Sequence, residues 1–183
     1  ARIGVNFRWN LHYSGGQLTD WGGHHPDIAQ WGMGTDRSGP IEIKNARGTF
    51  AKHPVYNTAT EYYFECIYES GVKMIISNRE RGGVTFEGSE GRVWANRGRH
   101  DAEPKSILTA EVKHEDFPFA LRNEKTDFIE CIRSRSQTLE DAEVGHRASS
   151  MMQMAYIACL LGRKLTWDPV KEQFPGDDEA NKL

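Results

Sequence analysis

Between Ile41 and Asn96 the chain reads as strand after strand, with no helical period among them. Ile41-Glu42-Ile43-Lys44 alternates. Thr60 to Tyr68 is long and aromatic. Val72 to Ile76 follows it across Ser70-Gly71. Val84-Thr85-Phe86-Glu87 and Arg92-Val93-Trp94-Ala95 are joined across Gly88-Ser89-Glu90-Gly91. Parallel neighbours need a long crossover, usually a helix, whereas short glycine turns join antiparallel ones. This block therefore predicts an open, twisted, mostly antiparallel sheet. Helical patterns occur only before and after it, so the helices are expected on one face. The fold class is α+β.

The flanking segments complete the expectation. Arg2 to Trp9 alternates and is read as a strand. Gln17 to Trp31 is read as one helix, entered tightly through Gly15-Gly16, with an apolar stripe of Leu18, Trp21, Ile28 and Trp31. Pro26 removes a donor and clashes with the preceding turn, so a kink or break near Gly22-Gly23 is expected. His100 to Asp116 is polar and irregular. A helix over Lys125–Ser134 should pack Phe128, Ile129 and Ile132. A longer one over Asp141–Leu161 should pack Val144, Ala148, Met151, Met152, Ala155, Ala158 and Leu161, and stop at Gly162. Lys164 to Trp167 is a short strand, and the acidic tail from Pro175 to Leu183 is read as loose. No repeat or second domain is visible in the 183 residues.

Composition excludes some partners. Net charge is −3, and no Lys/Arg stripe interleaves with aromatics, so nucleic acid is not expected. Arg79-Glu80-Arg81 and Arg97-Gly98-Arg99 are read as solvated turns. No apolar run approaches the ~20 residues of a membrane-spanning helix, and no membrane partner is expected. Cys66, Cys131 and Cys159 are odd in number and lack CxxC spacing. They are read as buried free thiols.

The chemistry concentrates between Gly15 and Asp27, in the run GGQLTDWGGHHPD. On a continuous helix Asp20 and His24 stand four apart, on one face. A carboxylate beside an imidazole suits proton transfer near neutral pH, with Asp20 orienting the His24 ring. The same spacing also suits a pair that only holds the helix. His25 would point about 100° away from His24, and Asp27 lies on roughly the His24 side, where it could meet a polar ligand. Asp20, His24 and Asp27 could in principle ligate a metal. The i, i+4, i+7 set is loose and no HExxH accompanies it, so no metal is expected. Trp9 and Trp21, with Phe7 and Trp31, could stack on a sugar or a nicotinamide ring, or could be core. There is no GxGxxG and no GxxxxGK[ST], hence no nucleotide site made by this chain alone.

The same run resembles the G-G-x-x-x-D-x-G-x-H-x-x-D signature of the Gfo/Idh/MocA oxidoreductases, through Gly15, Gly16, Asp20, Gly22, His24 and Asp27. The resemblance extends through Gly39-Pro40-Ile41-Glu42-Ile43, Phe86-Glu87-Gly88-Ser89-Glu90-Gly91, Gly145-His146-Arg147 and Leu161 to Pro169. It implies the C-terminal half of a two-domain enzyme. An N-terminal Rossmann domain would bind NAD or NADP and carry the catalytic lysine of an E-K-P motif. This chain has neither the Rossmann fingerprint nor that motif, and is read as one C-terminal substrate domain over residues 1–183. By position, His24 and Asp20 match the family's catalytic pair, with His24 taking a hydroxyl proton as hydride leaves for the nicotinamide. Asp27, His25, Trp9 and Trp21 become candidate substrate contacts. The implied substrate is a sugar, polyol or related hydroxy compound, and the implied assembly a homo-oligomer through the sheet. The isolated chain is expected to be inactive. A non-catalytic carbohydrate-binding or oligomerisation module, or part of an NAD-dependent glycosidase, remain alternatives.

Overall fold

The computed structural model describes residues 4–113, 116 and 123–183. Helices α1 (Gln17–Gly22) and α2 (His25–Met33) precede six strands: β1 (Glu42–Phe50), β2 (Ala59–Ile67), β3 (Lys73–Ser77), β4 (Val84–Gly88), β5 (Gly91–Asn96) and β6 (Arg99–Glu103). Helices α3 (Glu124–Ser134) and α4 (Ala142–Leu161) follow, and the two-residue strand β7 (Leu165–Thr166) returns to the sheet. The α+β class holds, and every strand pairing is antiparallel. The strands form two open sheets rather than one. The first runs β3-β2-β1-β7, and the second β4-β5-β6.

The core lies between the first sheet and α4. Strand β2 alternates, with Tyr62, Phe64 and Cys66 buried, and Ile43 on β1 stands opposite Cys66. Against them α4 turns Met151, Met152, Ala155, Ala158 and Cys159, all buried as its pattern requires. Asp141 caps α4 by accepting from the Glu143 and Val144 amides, and Gly162 ends it at φ 63°. The three cysteines are buried free thiols. Burial pushes the Cys66 and Cys159 thiols up, the latter to about 11.

Several local expectations are corrected. Gly4–Trp9 is a 3-10 helix, not a strand; Arg2 and Ile3 lie outside the described residues. The polar stretch after His100 contains β6 and a 3-10 turn at Lys105–Thr109; residues 114 and 115 lie outside the described set. The tail is docked, not loose. Arg163 donates to both carboxylate oxygens of Asp177 at 2.5 and 2.9 Å, and Phe174 and Ala180 are buried. Arg163 holds the Asp177 carboxyl down at about 2. Helix α3 turns inward through Asp127 and Cys131, four residues apart, and Asp127 accepts from the Leu139 amide at 2.8 Å. Its expected apolar face, Phe128, Ile129 and Ile132, is exposed, because the polar anchors at the helix's inner side fix its rotation.

The predicted helix over Gln17–Trp31 is broken. Helix α1 ends at Gly22, and α2 starts afresh at His25, with Pro26 in its first turn, where the missing N–H costs nothing. The break reorients α2, which buries Pro26, Ala29 and Gln30. Leu18 is buried as expected, but Trp21 and Ile28 are exposed rather than part of an apolar stripe. At the entry, Gly16 has φ 70°, and a Cβ there would lie 2.5 Å from the Thr58 hydroxyl, so both conformation and space require glycine.

Candidate functional site

The break between α1 and α2 gathers most of the chemically active residues. His24 caps α2 from outside its first turn, with φ −121° and ψ −77°. Its N–H donates to the Trp21 carbonyl and its carbonyl accepts from Ile28, both at 3.0 Å. The backbone is thus tied to both helices, and the exposed imidazole is left free to face a ligand. The His24 ring meets the Trp21 indole edge-on at 5.7 Å.

Asp20 does not orient that ring. Its Oδ2 accepts from Arg8 Nη1 at 2.9 Å, tying α1 to the 3-10 helix at Gly4–Trp9. The two-helix break explains this. The i, i+4 facing of Asp20 and His24 needs a continuous helix, and the helix stops between them. The carboxyl that feels His24 is Asp27. Burial raises the Asp27 carboxyl above its usual range, the nearby Asp36 raises it further, and His24 pulls it back down. Asp27 Oδ1 is buried without a hydrogen-bond partner among the described residues.

Asp27 also lines a cavity of about 200 Å³ with Thr19, Gly23, Glu140, Ser149 and Met152. Burial raises the Glu140 carboxyl, the charge of Asp27 adds to this, and a hydrogen bond from the Trp31 side chain opposes it. Two carboxyls and two hydroxyls, with Ala148 and Met152, therefore line a small space open to solvent.

His25 also meets Trp21. The two rings stack at 5.7 Å with an interplanar angle of 28°. His25 Nε2 lies 3.2 Å from Asn96 Oδ1, at the end of β5. Arg97, next in the chain, places its guanidinium over the Trp21 ring, 5.5 Å from the centroid. The turn read as solvated is thus a wall of the site. Trp9 is partly exposed and sits beside Arg8, with its carbonyl accepting from the Asn57 amide at 3.0 Å. The structure brings His24, His25, Trp21 and Asp27 together and leaves Asp20 bound to Arg8. It adds Arg8, Asn96, Arg97 and Glu140, which no spacing rule joins to the Gly15–Asp27 run. Their only sequence trace is that each carries a polar side chain at an element boundary. Among the described residues no three His, Cys, Asp or Glu side chains are grouped to hold a metal ion, and no helix is long and apolar enough to cross a membrane.

The model for the oxidoreductase-family C-terminal alpha/beta domain of the Gfo/Idh/MocA proteins matches residues 1–183. The chain belongs to this family. Solved structures agree at the level of the fold. An NAD-binding protein from Listeria innocua superposes with a TM-score of 0.61 at 16% identity, over 90% of this chain and 51% of its own. The aldose-aldose oxidoreductase of Caulobacter crescentus, complexed with glycerol, gives the same TM-score and identity, over 90% of this chain and 52% of its own. An oxidoreductase from Agrobacterium radiobacter, in complex with NAD+, L-tartaric acid and magnesium, superposes at 0.52 with 14% identity, over 79% and 47%. The chain spans about half the length of these Gfo/Idh/MocA-like structures. No curated protein matches it.

Proposed function

We propose that this domain is the substrate-binding half of an NAD(P)-dependent oxidoreductase acting on a sugar, polyol or related hydroxy compound. The observation that carries the reading is the exposed His24 imidazole, fixed by its backbone at the α1–α2 break and flanked by Trp21 and the half-buried Asp27. The substrate class draws on the neighbours in complex with glycerol and with L-tartaric acid, both small hydroxylated molecules.

The residues fit a site shared with a nicotinamide held elsewhere. They offer a flat aromatic surface at Trp21 and a free imidazole, while the chain has no glycine-rich phosphate cradle. The cofactor, bound by a Rossmann domain, supplies the hydride acceptor. In oxidation, His24 accepts the proton of the substrate hydroxyl as the C–H bond of the same carbon yields its hydride and a carbonyl forms. In reduction, the protonated ring returns it. Trp21 gives the substrate an apolar surface to rest on. Asp20, held by Arg8, positions α1 and so acts through the backbone rather than by direct contact with the ring. Trp9, beside Arg8, and His25, stacked with Trp21, shape the outer walls.

Assembly as a homo-oligomer through the sheet is part of the same reading. In its favour, the face of β2 away from α4 carries Tyr63 and Glu65, and Ile75 opposite Glu65 on β3 is 49% exposed.

The test is His24→Ala in the full-length protein that carries this domain. Removal of a general base should lower kcat by roughly 10²–10⁴-fold with substrate binding less affected. An unchanged kcat defeats the assignment.

A further inference from the structure

The two-residue turn between β5 and β6 presents a guanidinium at the mouth of this site. Asn96 and Arg99 face each other as the closing pair, with Arg97 and Gly98 between them. Arg97 has φ 46°, in the left-handed region that residues with a Cβ rarely enter. A two-residue hairpin turn asks for positive φ at both central residues, and Gly98 follows at 77°. At this turn Asn96 meets His25 and the Arg97 guanidinium stands 5.5 Å from the Trp21 centroid. Trp21 in turn touches both His24 and His25, so Arg97 is one ring away from the proposed base.

Arg8 is bound to Asp20, Arg79 to Glu61 and Arg92 to Glu103. Among the described residues none forms an ion pair with Arg97, and its side chain is exposed. Arg47 over Tyr63 and Arg81 over Trp94 also lie on rings without an ion pair among these residues; what sets Arg97 apart is that its ring, Trp21, meets His24 and His25. A guanidinium near an aromatic ring and without an ion pair keeps its donor fork available to a planar or tetrahedral oxyanion.

We propose that Arg97 is a specificity residue that binds an anionic group of the substrate, so that the site favours hydroxy compounds bearing a carboxylate or a phosphate over neutral ones. This rests on the oxidoreductase reading above. The hydroxyl to be oxidised lies toward His24, and the anionic group toward the β5–β6 turn, with Trp21 beneath the carbon chain between them.

The experiment uses the full-length protein with NAD+ or NADP+ and three substrates of one carbon skeleton: a neutral hexitol, the corresponding aldonate and the hexitol phosphate. The expected result is a higher kcat/KM for at least one anion than for the hexitol. In Arg97→Gln the anion-to-neutral ratio should fall about tenfold, the scale of one charge-assisted hydrogen bond, with part retained in Arg97→Lys. Which anion loses its advantage identifies carboxylate or phosphate as the preferred group. Arg92→Gln, on the same sheet and away from Trp21, is the control and should leave the ratio where it was. Raising the salt concentration should erode the ratio in the wild type and not in Arg97→Gln. If the ratio is the same in both proteins while the hexitol is oxidised, the anion preference is wrong and the oxidoreductase reading stands. If Arg97→Gln raises only the KM for the dinucleotide, the cation serves the cofactor and the proposal is overturned. If none of the three is oxidised, both readings fail together.

Discussion

Gly32→Ala tests how the two sheets are joined, because two opposing effects of known size meet at this residue. Gly32 lies in the last turn of α2, and a Cβ built on it would stand 2.4 Å from Cζ and 2.5 Å from Cε1 of Phe86 on β4. A ring edge of this kind cannot fold away as a flexible chain can. Helix propensity alone favours alanine over glycine by about 1 kcal/mol. Overpacking of a well-filled contact costs about 1–3 kcal/mol, and a contact this close belongs near the upper end. The net expectation is a loss of about 2 kcal/mol, or roughly 4–8 °C in Tm for a chain of this size. Thermal melts and denaturant midpoints measure it. In a Phe86→Leu background the clash is relieved, and the same substitution should become neutral or stabilising. The sign change between the two backgrounds is the diagnostic, since it isolates the contact from propensity. If Gly32→Ala melts at or above the wild type, α2 and β4 do not meet as described. The wall that carries Asn96 and Arg97 would then lose its support.

Two further outcomes concern titration. The Asp177 carboxyl, held down at about 2 by Arg163 against an ordinary value of 3.8, contributes stability present above the ordinary value. That contribution is lost as pH falls from about 4 toward 2, so the difference in Tm between wild type and Asp177→Asn should shrink over this range; a constant difference would contradict the pairing. Asp27 runs the other way. Its folded carboxyl is raised, first by burial, so the folded state holds the proton more tightly and loses stability as pH rises above the ordinary value. Asp27→Asn should therefore gain in Tm over the wild type between pH 4 and pH 7, and no gain would mean that the carboxyl is better solvated than its buried Oδ1 indicates.

The sheet was legible because its signal is local. Turn glycines and two-residue alternation occur within a few positions of one another, and antiparallel pairing follows from short connections. Helix α4 was legible for a similar reason, since its apolar spacing and its Gly162 stop lie on one segment. The partition into two sheets was not, because nothing in the spacing of β3 and β4 says that the chain ceases to pair between them. Helix α3 was misread because an apolar count takes Phe128, Ile129 and Ile132 as the inner face, whereas a hydrogen bond from Leu139 to Asp127 decides its rotation.

The sequence by itself determined an α+β chain of antiparallel strands and the concentration of titratable groups in residues 15–27. It also marked the weak point at Gly22-Gly23 and Pro26. Each of these is set by backbone chemistry acting over a few residues. Only the tertiary structure decided the partners. The helix break took Asp20 away from His24 and gave it to Arg8, and it set Asp27 in the field of His24. A turn some seventy residues downstream supplied Asn96 to His25 (|i−j| = 71) and Arg97 to Trp21. The physical reason is that side-chain pairing depends on where elements pack, and packing joins residues that no periodicity along the chain connects.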